Sequence, residues 1–435
     1  MKTRQRWILL VFMAMAAILL LLMWSGGITK SPSFMTASPI SLTLDLDQLS
    51  DREKCPACFG VKMCPQIVTG NIKLSDWTKY KVTRYVNQKN IFYGQWDDGI
   101  GQRKVILKKL AHDHELDALD STICERHGKN NNCDVSDSVR YLIDEYAHHS
   151  TLRPGEQILH GEKIGNGSDI LLCPSIAKMD FLIDAASKFN KGQHAKTILA
   201  NVLTTILVNP EPILLEAFPS SKGWPFPTFY GACGRIVVEE YVGRPLSSFV
   251  DESFKVRAYL ALQLLKMANL FYENPTQFIL YITDPQADNF AVVENTNIVK
   301  LVDLENLMVV DKELLIQSKV KDSDKLAVSE SVTCEDQGRY TKECFSYSVD
   351  DLCDRPRTDH NYYAVCAGLL APGLSYDFPQ GLLHSIPDED LNKLSSLPGL
   401  LTQCKNPTLG KLDLTRIEAA QQLINVLDSY LEHKK

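Results

Sequence analysis

The sequence of 435 residues predicts an α+β fold in which two lobes face one cleft, and three stretches predict it. Phe278 to Asn306 reads as strand, loop, hairpin and loop, with Asp284, Asn289 and Asp303 at the loop positions. Far upstream, a short apolar strand ends at Lys108. Between them, Phe254 to Tyr272 forms an amphipathic helix with Leu260, Leu264, Met267 and Phe271 on one face, directly before the polar stretch. Composition is that of a globular protein, 45% hydrophobic and 23% charged. The length fits a two-lobed domain of ~300 residues with an N-terminal appendage. A formal net charge of -7 argues against nucleic acid as the main partner.

Taken in order, the chain begins with Lys2, Arg4 and Arg6 before an uncharged run from Trp7 to Trp24. As a helix that run spans ~27 Å, close to a hydrocarbon core. The basic flank keeps its end cytoplasmic and sends the rest into the lumen. Residues 1–27 are therefore expected to be one transmembrane signal anchor, with a signal peptide cleaved near Ser25-Gly26-Gly27 as the alternative. Residues 28–50 read as a stem.

All twelve cysteines follow: Cys55, Cys58, Cys64, Cys124, Cys133, Cys173, Cys233, Cys334, Cys344, Cys353, Cys366 and Cys404. An even number beyond a membrane segment points to disulfides. Cys55-Pro-Ala-Cys58 invites a zinc or redox reading, but no second such pair or nearby His completes a zinc site, and structural disulfides are preferred. Asn166 heads an Asn-Gly-Ser glycosylation sequon.

A Cys-containing segment spans 51–85, an N-terminal lobe 86–243 and a C-terminal lobe 244–435. Two β-like runs, Asn90 to Trp96 and Lys104 to Leu107, flank an Asp98-Gly99 turn and predict a hairpin ending at Lys108. A helix follows over Asp113 to Glu125, and a helical insertion over about 134–208. Asn209-Pro210-Glu211-Pro212 breaks it. Ile213 to Phe218 and Arg235 to Val242 read as strands, separated by a loop over 219–234. Residues 311–347 read as polar and irregular, and helices are expected over Tyr362 to Leu370 and Leu414 to Leu431.

Phosphoryl transfer from ATP needs phosphates held, metal held and an acceptor oxygen aimed in line. Lys108, at the end of Val105-Ile-Leu-Lys108, suits the phosphates. The interval from Asp284 to Asn289 matches a protein-kinase catalytic loop, with Asp284 at the acceptor proton and Asn289 on Mg2+ or Mn2+. The Asn295-Thr-Asn297 turn returns Asp303 to the same cleft as the second metal ligand. Glu115, in the first turn of its helix, is the expected partner of Lys108, with stabilisation of the helix start as the bland alternative. Glu240 and Val242 end the strand between the lobes, where backbone groups would read adenine.

With these residues the chain resembles the divergent protein kinase domain family, and within it the branch called "deleted in autism" proteins. The supporting stretches are Cys55-Pro-Ala-Cys58-Phe-Gly, Val105-Ile-Leu-Lys108, Asn209-Pro-Glu-Pro-Ile-Leu-Leu, Ser221-Lys-Gly-Trp-Pro-Phe226 through Tyr230-Gly-Ala-Cys233-Gly-Arg, Asp288-Asn-Phe-Ala-Val and Asp359-His-Asn-Tyr-Tyr-Ala-Val-Cys366. The resemblance implies a two-lobed protein-kinase-like fold, a disulfide-rich N-terminal segment, a Golgi-lumenal or secreted location, and Lys108, Asp284, Asn289 and Asp303 as the kinase positions.

Departures from the kinase pattern are concrete. No Gly-rich loop covers the phosphates, Ile282-Thr283 replaces His-Arg before the catalytic Asp, and Leu304-Glu305 replaces Phe-Gly after the metal Asp. The expected function is an atypical kinase using ATP with Mg2+ or Mn2+ on a protein or glycan hydroxyl, as a single-pass type II Golgi membrane protein or secreted after cleavage. The alternative is a pseudokinase acting as a secreted ligand for a cell-surface receptor. A thiol oxidoreductase using Cys55 and Cys58 is the third.

Overall fold

The first described elements are two short helices, Leu46–Leu49 (α1) and Cys64–Val68 (α2). Leu46, Leu49, Met63 and Ile67 share a core with Phe92, Val105, Leu107 and Ile236. The compact unit begins at Thr43, inside the expected stem. The structure, a computed structural model, describes residues 43–432 except 81–89, 131–132, 150–171, 174–178, 318–324, 337–339, 375–377, 409 and 411. The apolar run from Trp7 to Trp24 and the Asn166 sequon lie outside them. Among the described residues, no helix is long and apolar enough to cross a membrane.

Ile72–Leu74 (β1), Ile91–Asp97 (β2) and Gln102–Lys108 (β3) follow. The hairpin forms as its turn chemistry requires: Gly99 takes φ +84°, and Asp98 Oδ1 accepts from the N–H groups of Ile100 and Gly101 at 2.9 Å each. Asp113–Arg126 (α3) matches its expected span. Val135–His149 (α4), the two-residue strand Leu172–Cys173 (β4), Met179–Phe189 (α5) and Ala195–Val208 (α6) make up the described part of the insertion.

Two expectations fail here. Ile213 to Phe218 is not a strand: Glu211–Ala217 is a helix (α7). The double proline both stops α6 and starts α7. Pro costs nothing in a first turn, where its missing N–H would lack a partner, and Asn209 Oδ1 accepts from Glu211 N at 3.0 Å. The apolar run is buried nearly all round, a pattern that fits either element. The loop over 219–234 ends in a strand, Phe229–Cys233 (β5), that pairs with Ile236–Glu240 (β6). The sheet of the smaller lobe runs β1-β2-β3-β6-β5, antiparallel throughout.

Gly243–Pro245 (β7) leads to the larger lobe. There Phe254–Tyr272 (α8) begins at the residue the pattern indicates, capped by Ser253, and Leu260, Leu264, Met267 and Phe271 are all buried. Phe278–Ile282 (β8), Phe290–Val293 (β9), Val299–Leu301 (β10) and Leu307–Asp311 (β11) carry the polar loops between them. They pair as β10-β9-β7 and β4-β11-β8. The stretch expected to be irregular holds a helix, Lys312–Gln317 (α9), and an antiparallel hairpin of Val332–Asp336 (β12) and Tyr340–Cys344 (β13). Val349–Asp354 (α10), His360–Val365 (α11, extended by a wider turn to Leu370), Leu397–Lys405 (α12) and Arg416–Glu432 (α13) complete the lobe.

All twelve cysteines are bonded: Cys55–Cys58, Cys64–Cys233, Cys124–Cys133, Cys173–Cys353, Cys334–Cys344 and Cys366–Cys404. No thiolate is left for zinc. Cys58 is fully buried, between core residues Ala57 and Phe59, with its carbonyl accepting from Asn201. That is the setting of a structural sulfur rather than of an accessible redox pair.

Candidate functional site

A cavity of about 550 Å³ lies against the sheet of the smaller lobe, with Lys108, Glu239, Val242 and Asp303 in its wall. Its size is that of a small-molecule site. The register of β3 and β6 explains the wall. Ile106 stands opposite Glu239, and Lys108 is two residues on from Ile106, so all three share one face of the sheet.

Lys108 Nζ meets Glu211 Oε1 at 2.7 Å, the Val302 carbonyl at 2.7 Å and Glu239 Oε2 at 3.1 Å. Glu211 is therefore the acid that pairs with Lys108, and Glu115 is not. Glu115 instead closes its own helix start, Oε2 accepting from His112 N at 2.7 Å, though it does lie in the cavity wall. A strand over Ile213 to Phe218 would leave Glu211 in a loop before it; the helix Glu211–Ala217 instead opens on it. Glu211 opens α7 and also accepts from Leu304 N at 2.9 Å through Oε2. Burial disfavours the charge on Lys108, but Glu211, Glu239 and Asp303 outweigh it and hold its pKa above the ordinary lysine value. Burial pushes the Glu211 carboxyl upward against the pull of Lys108. With both oxygens accepting hydrogen bonds, it is placed as a carboxylate.

Asp284 and Asn289 come together as their interval suggests, although of the three polar residues only Asp303 is in the cavity lining. Asn289 Nδ2 donates to Asp284 Oδ2 at 3.0 Å and to the Asp284 carbonyl at 3.2 Å. Val302 N donates to the Asn289 carbonyl at 2.8 Å, which sets Asp303 beside that loop. Asp284 and Asp303 are partly exposed, and Asn289 is buried. Glu305, replacing the glycine of the kinase pattern, accepts from Asn209 Nδ2 at 2.9 Å. Burial, then the nearby Asp303 and Glu115 charges, raise its pKa. Asp288, expected to do turn work only, accepts from the Ser247 hydroxyl 41 residues away and lies in the cavity wall.

The donor set fits Mg2+ or Mn2+: Asp303 offers a carboxylate and Asn289 an amide Oδ1, and such ions complete their shells with water and phosphate oxygens. Among the described residues, no group of three or more His, Cys, Asp or Glu is arranged to hold a metal by itself.

Glu240 and Val242 both lie in the cavity wall. The Glu240 carboxylate is spent on structure, accepting from Lys300 Nζ at 2.8 and 3.0 Å and from Thr228 N at 2.9 Å. These bonds hold its pKa below the usual value despite burial. They also explain the one charged residue in the strand before Asp303.

Two further residues position the strand before Asp284. Asn361 Oδ1 accepts from Ile282 N at 3.0 Å, and its Nδ2 donates to the Leu280 carbonyl at 2.8 Å. His360 Nε2 lies 2.9 Å from the Ile282 carbonyl, and its Nδ1 lies 3.0 Å from Ser329 Oγ. Helix α11 thus grips both backbone groups of Ile282, two residues before Asp284. Gly368, just beyond α11, passes so close to Pro285 that a Cβ there would lie 2.8 Å from the ring. The sequence signal for this grip is the polar His360-Asn361 pair opening an otherwise apolar helix.

The family model described as the protein-kinase domain of FAM69 matches residues 203–407. The chain is 35% identical over 391 residues to "Divergent protein kinase domain 2A" of Mus musculus and of Homo sapiens, covering 87% of this chain and 88% of each relative. It is 24% identical over 422 residues to "Divergent protein kinase domain 2B" of Bos taurus, covering 94% of this chain and 90% of that relative. At the 35% identity and 87% coverage shared with the first two relatives, the chain belongs to the divergent protein kinase domain family.

Proposed function

We propose that the chain is an atypical kinase of the secretory pathway, transferring phosphate from ATP to a hydroxyl of a lumenal or extracellular protein or glycan. The observation that carries this reading is the Lys108–Glu211 ion pair at 2.7 Å, in the same cavity wall as Asp303. Lys108 holds the nucleotide phosphates, and Glu211 fixes Lys108 relative to Leu304, the residue after Asp303. Asn289 and Asp303 would hold Mg2+ or Mn2+, which neutralises the developing phosphate charge when bound. Asp284, aligned by Asn289, orients the acceptor hydroxyl and takes its proton. The backbone from Glu240 to Val242 serves the adenine side, and the Glu240 carboxylate keeps that backbone in place.

Six disulfides support an oxidising compartment, and with the N-terminal apolar run they favour a Golgi-lumenal or secreted domain. Membrane attachment through residues 7–24, release by cleavage, and glycosylation at Asn166 are part of the proposal.

The test is thermal stabilisation of the full chain by ATP with Mg2+ or Mn2+, compared with Asp303→Ala. The wild type gains stability and the variant gains none. Absence of any nucleotide effect on the wild type refutes the reading.

One observation favours the second reading, a pseudokinase acting as a secreted ligand: Lys108 already donates to Glu211 and Val302 and pairs with Glu239. On that reading receptor signalling survives replacement of Asp284 and Asp303 together.

A further inference from the structure

An ammonium group has three N–H donors. Around Lys108 Nζ two donors are taken by hydrogen bonds, to Glu211 and to the Val302 carbonyl, and Glu239 Oε2 forms an ion pair at 3.1 Å. A phosphate oxygen must take the remaining donor against Glu239, or displace one of the other two. They are not equally held. Glu211 is fixed by its second bond, to Leu304 N. The Val302 carbonyl is part of a backbone tied to Asn289. Glu239 makes the longest contact, 3.1 Å, and its other oxygen, Oε1, is buried without a hydrogen-bond partner. A buried carboxylate held by one ion pair alone is costly to keep in place. Glu239 is 1% exposed, and nothing in the phosphoryl-transfer chemistry uses it.

The charges sharpen the point. Glu211, Glu239 and Asp303 act on the single cation Lys108, which leaves two net negative charges where phosphate must sit. We propose that Glu239 is a specificity residue of the cleft: it occupies the phosphate-binding arm of Lys108 and so restricts the site to phosphate already neutralised by a divalent cation. Bare phosphate finds a lysine already neutralised by carboxylates, one of which repels it. Metal-bound phosphate brings the positive charge that lets Glu239 turn aside. The inference rests on the nucleotide-binding reading above and deepens it.

The test titrates the full chain with ADP in excess Mg2+, with ADP in chelator, and with adenosine, for wild type, Glu239→Gln and Glu239→Met. In wild type, ADP in chelator binds no tighter than adenosine. In both variants ADP in chelator tightens by at least ~10-fold, as removal of a like-charge contact implies, while adenosine is unchanged. The ratio of the chelator and Mg2+ dissociation constants falls accordingly. Binding that is intact in the variants with an unchanged ratio overturns the role of Glu239 and leaves the nucleotide reading standing. Wild type binding ADP in chelator ten times tighter than adenosine overturns it without any variant, should neither fold. No binding of adenosine or ADP to any form overturns both.

Discussion

His360 gives the sharpest stability prediction, because burial and bonding act on one titratable ring. Burial, followed by the charge of Arg416 and against the bond to the Ile282 carbonyl, lowers its pKa to about 4. The carbonyl can only accept, so Nε2 carries the proton and Nδ1 accepts from the Ser329 hydroxyl. In the unfolded chain the ring titrates near ~6.5. As pH falls below that value the unfolded state takes up a proton first. The contribution of neutral His360 is therefore complete above pH ~6.5 and is lost as pH falls toward ~4, a change of about 3 kcal/mol. Glu216 acts in the opposite sense. Burial raises its pKa to about 7, so the folded state takes up its proton first and gains stability as pH falls toward ~4.5. The wild-type profile alone can look flat. The measurement is urea unfolding at pH 7, 6, 5 and 4 for wild type, His360→Gln and Glu216→Gln. The stability advantage of wild type over His360→Gln shrinks by about 3 kcal/mol between pH 7 and pH 4. Parallel wild-type and His360→Gln profiles would refute the buried, neutral histidine.

Two further outcomes separate the roles assigned above. Glu211→Gln weakens Mg2+-nucleotide binding by about tenfold or more, whereas Glu115→Gln changes it less than ~2-fold, because of these two acids Glu211 alone contacts Lys108; dissociation constants for the two variants decide it. Replacing Cys64 and Cys233 by Ser together removes a link across 169 residues and lowers stability by ~3–5 kcal/mol, read as a fall in the urea midpoint.

Legibility in the sequence followed how local each determinant is. Helix α8 was readable to the residue because its apolar period, its Ser253 cap and the Asn274-Pro275 stop all act locally. The Asp284–Asn289 interval was readable because a short loop leaves little freedom in where its two ends point. Glu211 was hidden. A Pro-flanked glutamate looks like punctuation, and only the tertiary position of α7 turns it toward Lys108, 103 residues away. Strand β5 was hidden for a related reason: Phe229 to Cys233 has two glycine-adjacent small residues, and its pairing with β6 and its disulfide to Cys64 create the strand. The grip of His360 and Asn361 on Ile282 spans 78 and 79 residues and leaves no periodic trace.

The bonds around residues 302–305 have a mechanical consequence. Lys108, Glu211 and Asn209 hold Val302, Leu304 and Glu305 from the side of the smaller lobe, while the Asn289 carbonyl holds Val302 from the larger one. Four residues thus act as a rivet through both halves of the molecule. Breathing of the cleft must either stretch this rivet or shear it on one side. On the larger-lobe side the segment is also anchored at both ends, by β10 against β9, by β11 against β8 and by the Thr283 hydroxyl on the Asn306 carbonyl. Charge-assisted bonds are worth about 1.5–3 kcal/mol each, so the three smaller-lobe bonds are outweighed by two strand pairings and give way first. Residues 302–305 then travel with the larger lobe, and opening of the cleft parts Lys108 and Glu211 from Val302 and Leu304 while Asp303 stays beside the Asn289 loop.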